Sequence, residues 1–92
     1  MKMHSHRLTK QGLKVEQQSE IKVFDEDGTT LGYLKADLLI EARVICEIKG
    51  ARALVDEHVA QLLGYLRASR IRHGLLINFG ASRLEIKKYV LD

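Results

Sequence analysis

Three charged residues interrupt two runs of Leu, Ile and Val that would otherwise belong in a core. Asp37 lies within Ala36-Asp37-Leu38-Leu39-Ile40, and Glu47 and Lys49 lie within Val44-Ile45-Cys46-Glu47-Ile48-Lys49. Both runs are rich in residues that favour strands. An unpaired ionised group is costly to bury. A fold built on these strands must therefore pair the three charges with one another, leave them in water, or bring in a cation that two carboxylates share.

Taken as a hairpin, the two runs place the charges. In an antiparallel pair, directly opposed residues share a face. The connection Glu41-Ala42-Arg43 opposes Ile40 to Val44, Leu38 to Cys46, Asp37 to Glu47 and Ala36 to Ile48. One face is then predicted to be wholly apolar: Leu34, Ala36, Leu38, Ile40, Val44, Cys46 and Ile48. The other gathers Lys35, Asp37, Glu47 and Lys49 at one end, with Leu39 and Ile45 near the turn. A connection shorter by one residue would set Asp37 against Cys46 and mix charge into both faces, which the hydrophobic pattern disfavours. The favoured register sets two carboxylates face to face, and opposed like charges repel unless something positive lies between them. Lys49 neutralises them in part. A divalent cation does so more fully, and hard oxygen ligands suit Mg²⁺ or Mn²⁺. A Lys–Asp–Glu salt-bridge cluster in water satisfies the same pattern, and the spacing alone leaves both open.

The rest of the chain sets the frame. At 92 residues it makes one domain over residues 1–92, of a size that buries about 60–65% of its unfolded surface. A composition of 46% hydrophobic and 29% charged residues argues against disorder. No apolar run approaches the ~18–20 residues of a membrane span, and the start does not resemble a secretion signal. The single cysteine, Cys46, forms no internal disulfide and reads as a small core residue, which suits a reducing, cytoplasmic setting. A net charge of +3 and a pI near 9.2 permit a polyanionic partner without demanding one. Two Phe, three Tyr and no Trp argue against a stacking platform for single strands, so contact with nucleic acid would run through phosphates.

The element pattern begins with a short helix over residues 5–11, ended by Gly12. An extended stretch over 13–24 follows, in which Ile21 and Val23 alternate. Asp25-Glu26-Asp27-Gly28 supplies a turn, and strands follow over 29–40 and 44–49. Val55, Val59, Leu62, Leu63 and Leu66 predict an amphipathic helix over 54–69, with Asp56 and Glu57 at its start and Arg67 and Arg70 near its end. The continuous apolar run at 75–79 predicts a strand covered on both faces, and residues 84–91 alternate as a last strand. The fold class is α/β (α+β): one sheet, a short N-terminal helix and one main helix between the third and fourth strands. One full helix plus a stub covers little more than one sheet face. The uncovered face is expected to pair with a second copy, as a homodimer or higher homo-oligomer.

Asp37, followed ten residues later by Glu47-Ile48-Lys49, matches the D…(D/E)-x-K signature of the PD-(D/E)XK nuclease superfamily, with Ala36 where the proline of that name would stand. Gln61-Leu62-Leu63-Gly64-Tyr65 on the next helix resembles the Q-x-x-x-Y element of its recombination-nuclease branch. Together with Ala36–Ile40, Gln61–Arg67 and Gly74–Gly80, these stretches resemble the GxxExxR family of small bacterial proteins, over a likeness that runs from about Leu13 to the last residue. The helix bearing the G-x-x-E-x-x-R element is not found in residues 1–11, so the chain reads as N-terminally truncated relative to that family.

The resemblance implies a restriction-endonuclease-like core with a five-stranded mixed sheet, and metal-dependent hydrolysis of nucleic-acid phosphodiesters. Asp37 and Glu47, with the main-chain carbonyl of Ile48, would hold Mg²⁺ or Mn²⁺. Lys49 would orient the attacking water and stabilise charge on the phosphate. Gln61 would reach the metal shell or a phosphate, and Tyr65 would add a hydroxyl to the backbone track. Arg67, Arg70 and Arg72, joined by Lys10, Lys14 and His73, would line that track, although helix capping alone explains the arginines. The missing upstream helix would carry another acidic group. Its absence keeps a second reading in play, a non-catalytic module that binds nucleic acid or protein. His58 lies one turn before Gln61 and reads as a surface residue within reach of the site, and His4 and His6 as a tail. Lys87 and Lys88 read as edge protection, and Gly50, Gly74 and Gly80 as turn residues.

Overall fold

The computed structural model describes residues 12–92, and within them the alternating and helical patterns fold as five strands and one helix. They are β1 (Val15–Phe24), β2 (Thr30–Ile40), β3 (Val44–Lys49), α1 (Asp56–Ser69), β4 (His73–Asn78) and β5 (Glu85–Val90). The sheet order is β1-β2-β3-β4-β5. Neighbours pair antiparallel except β3 and β4, which run parallel and are joined through α1. A parallel pair needs such a crossover, so the expected mixed sheet and the helix between the third and fourth strands are one consequence of the connectivity. The helix expected over 5–11, with His4, His6 and Lys10, lies outside the described residues. No described helix is long and apolar enough to cross a membrane.

Helix α1 lies on one face, packed against β4 and β1, and seats Leu62 and Leu66 on Ile21, Ala36, Leu39, Ile45 and Leu76. At Gly74 the fit is close: a Cβ there would meet Leu62 Cδ1 at 2.9 Å. The first turn of α1 carries Asp56 and Glu57, and the Val55 N–H donates to His58 Nδ1 at 3.1 Å. His58 is thus occupied in capping the helix start. At the other end Arg70 adopts the left-handed conformation (φ 63°). A non-glycine residue holds that conformation only where its surroundings fix it. Here the guanidinium donates to the Asp25 carbonyl at 2.9 Å and lies 5.3 Å over the Phe24 ring, tying the end of α1 to the β1–β2 turn.

The hairpin register is the expected one, with Ile40 opposite Val44 and Leu38 opposite Cys46. Its turn is held by a bond from Arg43 N to Ile40 O at 2.9 Å. Two expectations about faces need correction. Leu34 and Ala36 do not share a face with Leu38 and Ile40; they join Leu39 and Ile45 in the core under α1. Alternation changes phase around Asp37, where Gln18 of β1 takes a positive φ of 49° and drops out of the β1–β2 pairing. An irregular residue of this kind re-aims the side chains around it. The run ending in Asn78 is not covered on both faces either: Gly74, Leu76 and Asn78 are buried while Leu75 and Ile77 are only half-buried. The face away from α1, with Ile48, Ile86 and Val90 exposed, has no cover among the described residues.

Candidate metal centre

Pairing between β2 and β3 stops at Leu38 and Cys46, one residue short of Asp37 and Glu47. From there the two strands are bridged by side chains. The Asp37 N–H donates to Glu47 Oε2 at 2.9 Å, and the Ile48 N–H donates to Asp37 Oδ2 at 2.7 Å. Each carboxylate accepts a main-chain N–H from the opposite strand. The exchange satisfies two backbone donors and fixes both acidic groups in the same gap. Gln18 flanks the other side, its Nε2 3.5 Å from Asp37 Oδ1. A cleft of about 520 Å³ opens beside Asp37, lined by Gln17, Gln18, Leu38 and Ile48.

Glu47 is buried at 5% exposure, and burial pushes its pKa up. The Asp37 N–H pulls it back, the Asp37 charge raises it and Lys49 lowers it. Neither carboxylate has an ion-pair partner among the described residues. Lys49 is equally free of carboxylates; its Nζ donates to Gln61 Oε1 at 2.9 Å, and Gln61 Nε2 is 3.3 Å from the Tyr65 hydroxyl. Gln61 thus accepts from the ammonium through its carbonyl oxygen. Adjacent Cys46 is fully buried. Its thiol is pushed up to about 11, by burial first and then by the charges of Glu47 and Asp37, which leaves it unreactive at neutral pH.

The main chain carrying Lys49 is clamped from β4. Phe79 N donates to Lys49 O at 2.9 Å. The buried Asn78 amide donates to Ala51 O at 2.9 Å and to Glu85 Oε1 at 2.8 Å. It also accepts from Ala51 N at 2.9 Å and from Gly80 N at 3.1 Å. Gly80 passes so close that a Cβ would come within 2.5 Å of Ala51 N. Asn78 was visible in the sequence only as the end of an apolar run. A polar amide closing such a run was the available signal, as was the pair Gln17-Gln18 in β1.

The arginines are placed elsewhere. Arg72 and His73 stand at the start of β4 and Arg43 just before β3. In parallel strands that end lies about 17 Å from Lys49. Arg70 is spent on the β1–β2 turn, and Arg72 donates through Nε to Leu91 O at 3.0 Å. Arg67 sits in the last turn of α1, and Lys14 Nζ lies 3.5 Å from Glu16. None of these is brought to the Asp37–Glu47 gap.

A hard dication suits the donors present. Mg²⁺ binds through one or two carboxylates and keeps several waters, and two acidic groups in one gap without a basic ion-pair partner present that set. Among the described residues there is no cluster of three or more His, Cys, Asp or Glu that could hold a metal ion, so the acidic donors here are a pair.

A family model described as the PD-(D/E)XK nuclease superfamily matches residues 2–89. The crystal structure of SSO0001 resembles this fold with a TM-score of 0.67 at 20% identity, covering 98% of this chain and 50% of that one. At that identity the likeness is one of fold, and the chain spans half the length of the solved structure. No curated protein matches.

Proposed function

The chain belongs to the PD-(D/E)XK nuclease superfamily, and from that premise we propose that it hydrolyses phosphodiester bonds of nucleic acid at the Asp37–Glu47 gap. Nucleases of this superfamily typically use a divalent metal. Asp37, Glu47 and the Ile48 carbonyl would hold Mg²⁺ or Mn²⁺, which when bound supplies charge neutralisation at the phosphate and acidifies water. The reciprocal bonds from Asp37 N–H and Ile48 N–H orient the two carboxylates before any ligand arrives, and such preorganisation is what a site of this kind requires. Lys49, steered by Gln61 and free of a carboxylate, offers its remaining ammonium hydrogens to the attacking water and to a phosphate oxygen. Tyr65 holds Gln61 in turn. Within the superfamily, the GxxExxR family is the assignment proposed, with residues 1–92 acting as one domain.

The observation that carries this reading is the interruption of the β2–β3 ladder at the two residues of the signature. Asp37 and Glu47 meet where the pairing stops, each held by a main-chain N–H of the opposite strand, with no basic ion-pair partner among the described residues. A non-catalytic module that binds nucleic acid or protein is the second reading, favoured by the described acidic groups being only a pair. A Mn²⁺ titration of wild type and Asp37→Ala, followed by incubation of both with mixed DNA and RNA, separates the two. Binding and cleavage both lost on substitution support hydrolysis, and binding lost with no cleavage by either protein selects the module. Cleavage that survives both Asp37→Ala and Lys49→Ala marks a contaminant and removes the first reading.

A further inference from the structure

The β4–β5 turn carries an apolar tip that the Asp37–Glu47 centre does not use. Phe79 is 65% exposed and Leu84 55%, with Arg83 exposed beside them. The tip is fixed in place. The Phe79 N–H is bonded to Lys49 O, and the neighbouring Asn78 side chain makes all four of its hydrogen bonds. Gly80 packs against Ala51. The other phenylalanine, Phe24, already lies under Arg70. An aromatic ring held in water on a fixed turn marks a contact surface, and its ordering cost on binding is small.

Its position gives the contact a chemistry. The Ile48 N–H holds Asp37, Ile48 pairs with Ile77, and Phe79 follows two residues on, so the Cα atoms of Ile48 and Phe79 lie roughly 8 Å apart. A Cα separation of that size is within one or two nucleotide steps of a phosphate at the gap. We propose that Phe79 is a stacking contact for an unpaired base, and that the preferred ligand is single-stranded or frayed nucleic acid. In an intact duplex each base already has its faces stacked. An unpaired base offers a face to a lone ring, and stacking of this kind is tolerant of sequence. Arg83 supplies charge to the adjoining backbone. The sequence argued against a platform because aromatics are few, but one ring suffices when it is set beside the centre. The inference rests on the phosphodiester reading for its register alone.

The chain has no tryptophan, so Phe79→Trp introduces a unique reporter. Without added metal, oligothymidine, oligouridine and a blunt DNA duplex of equal length are titrated against it, and wild type, Phe79→Ala and Phe79→Tyr are compared by fluorescence anisotropy. Stacking predicts saturable quenching by one or both single strands, the two arms telling DNA from RNA, and little by the duplex. Phe79→Ala should weaken single-strand binding about 5- to 100-fold, with Phe79→Tyr restoring it. Equal quenching by duplex, or Phe79→Ala binding as tightly as wild type with an unchanged circular dichroism spectrum, overturns the proposal. Quenching that follows protein concentration without nucleic acid also overturns it, in favour of a protein contact. Quenching that persists where Mn²⁺ fails to bind supports stacking while removing hydrolysis. Cleavage with Phe79 dispensable for binding does the reverse.

Discussion

Glu47 is held at a cost that the fold does not recover by itself. Its pKa is raised above the ordinary 4.5, chiefly by burial, so between 4.5 and the folded value the folded state binds more protons than the unfolded one. Stability from this group is therefore full below the unfolded pKa and is lost as pH rises through the folded one. Removing the charge should remove the decline. Metal-free Glu47→Gln is expected to show a higher urea midpoint than wild type at pH 7, with the difference shrinking toward pH 4. Mn²⁺ should raise the wild-type midpoint and leave the variant unmoved. A wild type that outlasts Glu47→Gln without metal at pH 7 would mean that the carboxylate is already compensated. At Lys49 the expectation concerns rate. Gln61→Ala frees the ammonium from its only described side-chain partner, so kcat should fall about 10-fold, while Lys49→Ala lowers it about 100- to 1,000-fold. Mn²⁺ affinity should stay unchanged in both, measured by titration beside the cleavage assay.

The elements hold these groups unequally. Strand β3 is fixed at its far end by the clamp from Asn78 to Ala51, and Asn78→Ala leaves half-buried main-chain groups at Ala51 without these partners. Such a loss costs about 1–3 kcal/mol. Chemical denaturation should show it, and hydrogen exchange should show faster opening at Ala51 and Phe79 before the core amides of β2. The clamp also marks where the sequence stops being informative. The hairpin register was legible because, of the two connections weighed, only the three-residue one keeps charge from mixing into both faces, and the Asp37–Glu47 pair and Lys49 followed from it. The phase change at Asp37 was not legible. It depends on Gln18 taking a positive φ, and no glycine or proline announces that. His58 read as a surface residue within reach of the site because helical spacing places it a turn before Gln61, yet spacing cannot show that an imidazole nitrogen will accept from the main chain at Val55. Side chains that bond to backbone leave no periodic trace, which is why Asn78 and Gln18 were missed while Leu62 and Leu66 were not.

At the scale of the whole molecule, one helix serves a sheet with two faces. Leu39, Ile45 and Leu76 lie under α1. Leu38, Ile40, Val44, Leu75 and Ile77 on the opposite face are only half-buried, while Ile48 and Ile86 are 41% and 59% exposed. Lys88 stands on the same face of the edge strand, opposite Leu75, so the apolar area centres on β2, β3 and β4. Over the six-residue lengths of β3 and β4, the three strands β2, β3 and β4 present roughly 14 × 20 Å in plan, short of the ~800 Å² per partner of a standard stable interface. An area of that size favours a reversible dimer over a permanent one, most simply with two-fold symmetry. The sedimentation coefficient should therefore rise with concentration through the tens of micromolar, and Ile86→Glu should hold the protein at the monomer value with its circular dichroism intact. A single well-folded species sedimenting as a monomer across that range would show that the face tolerates water, and the sheet would then have to draw its stability from the α1 side alone.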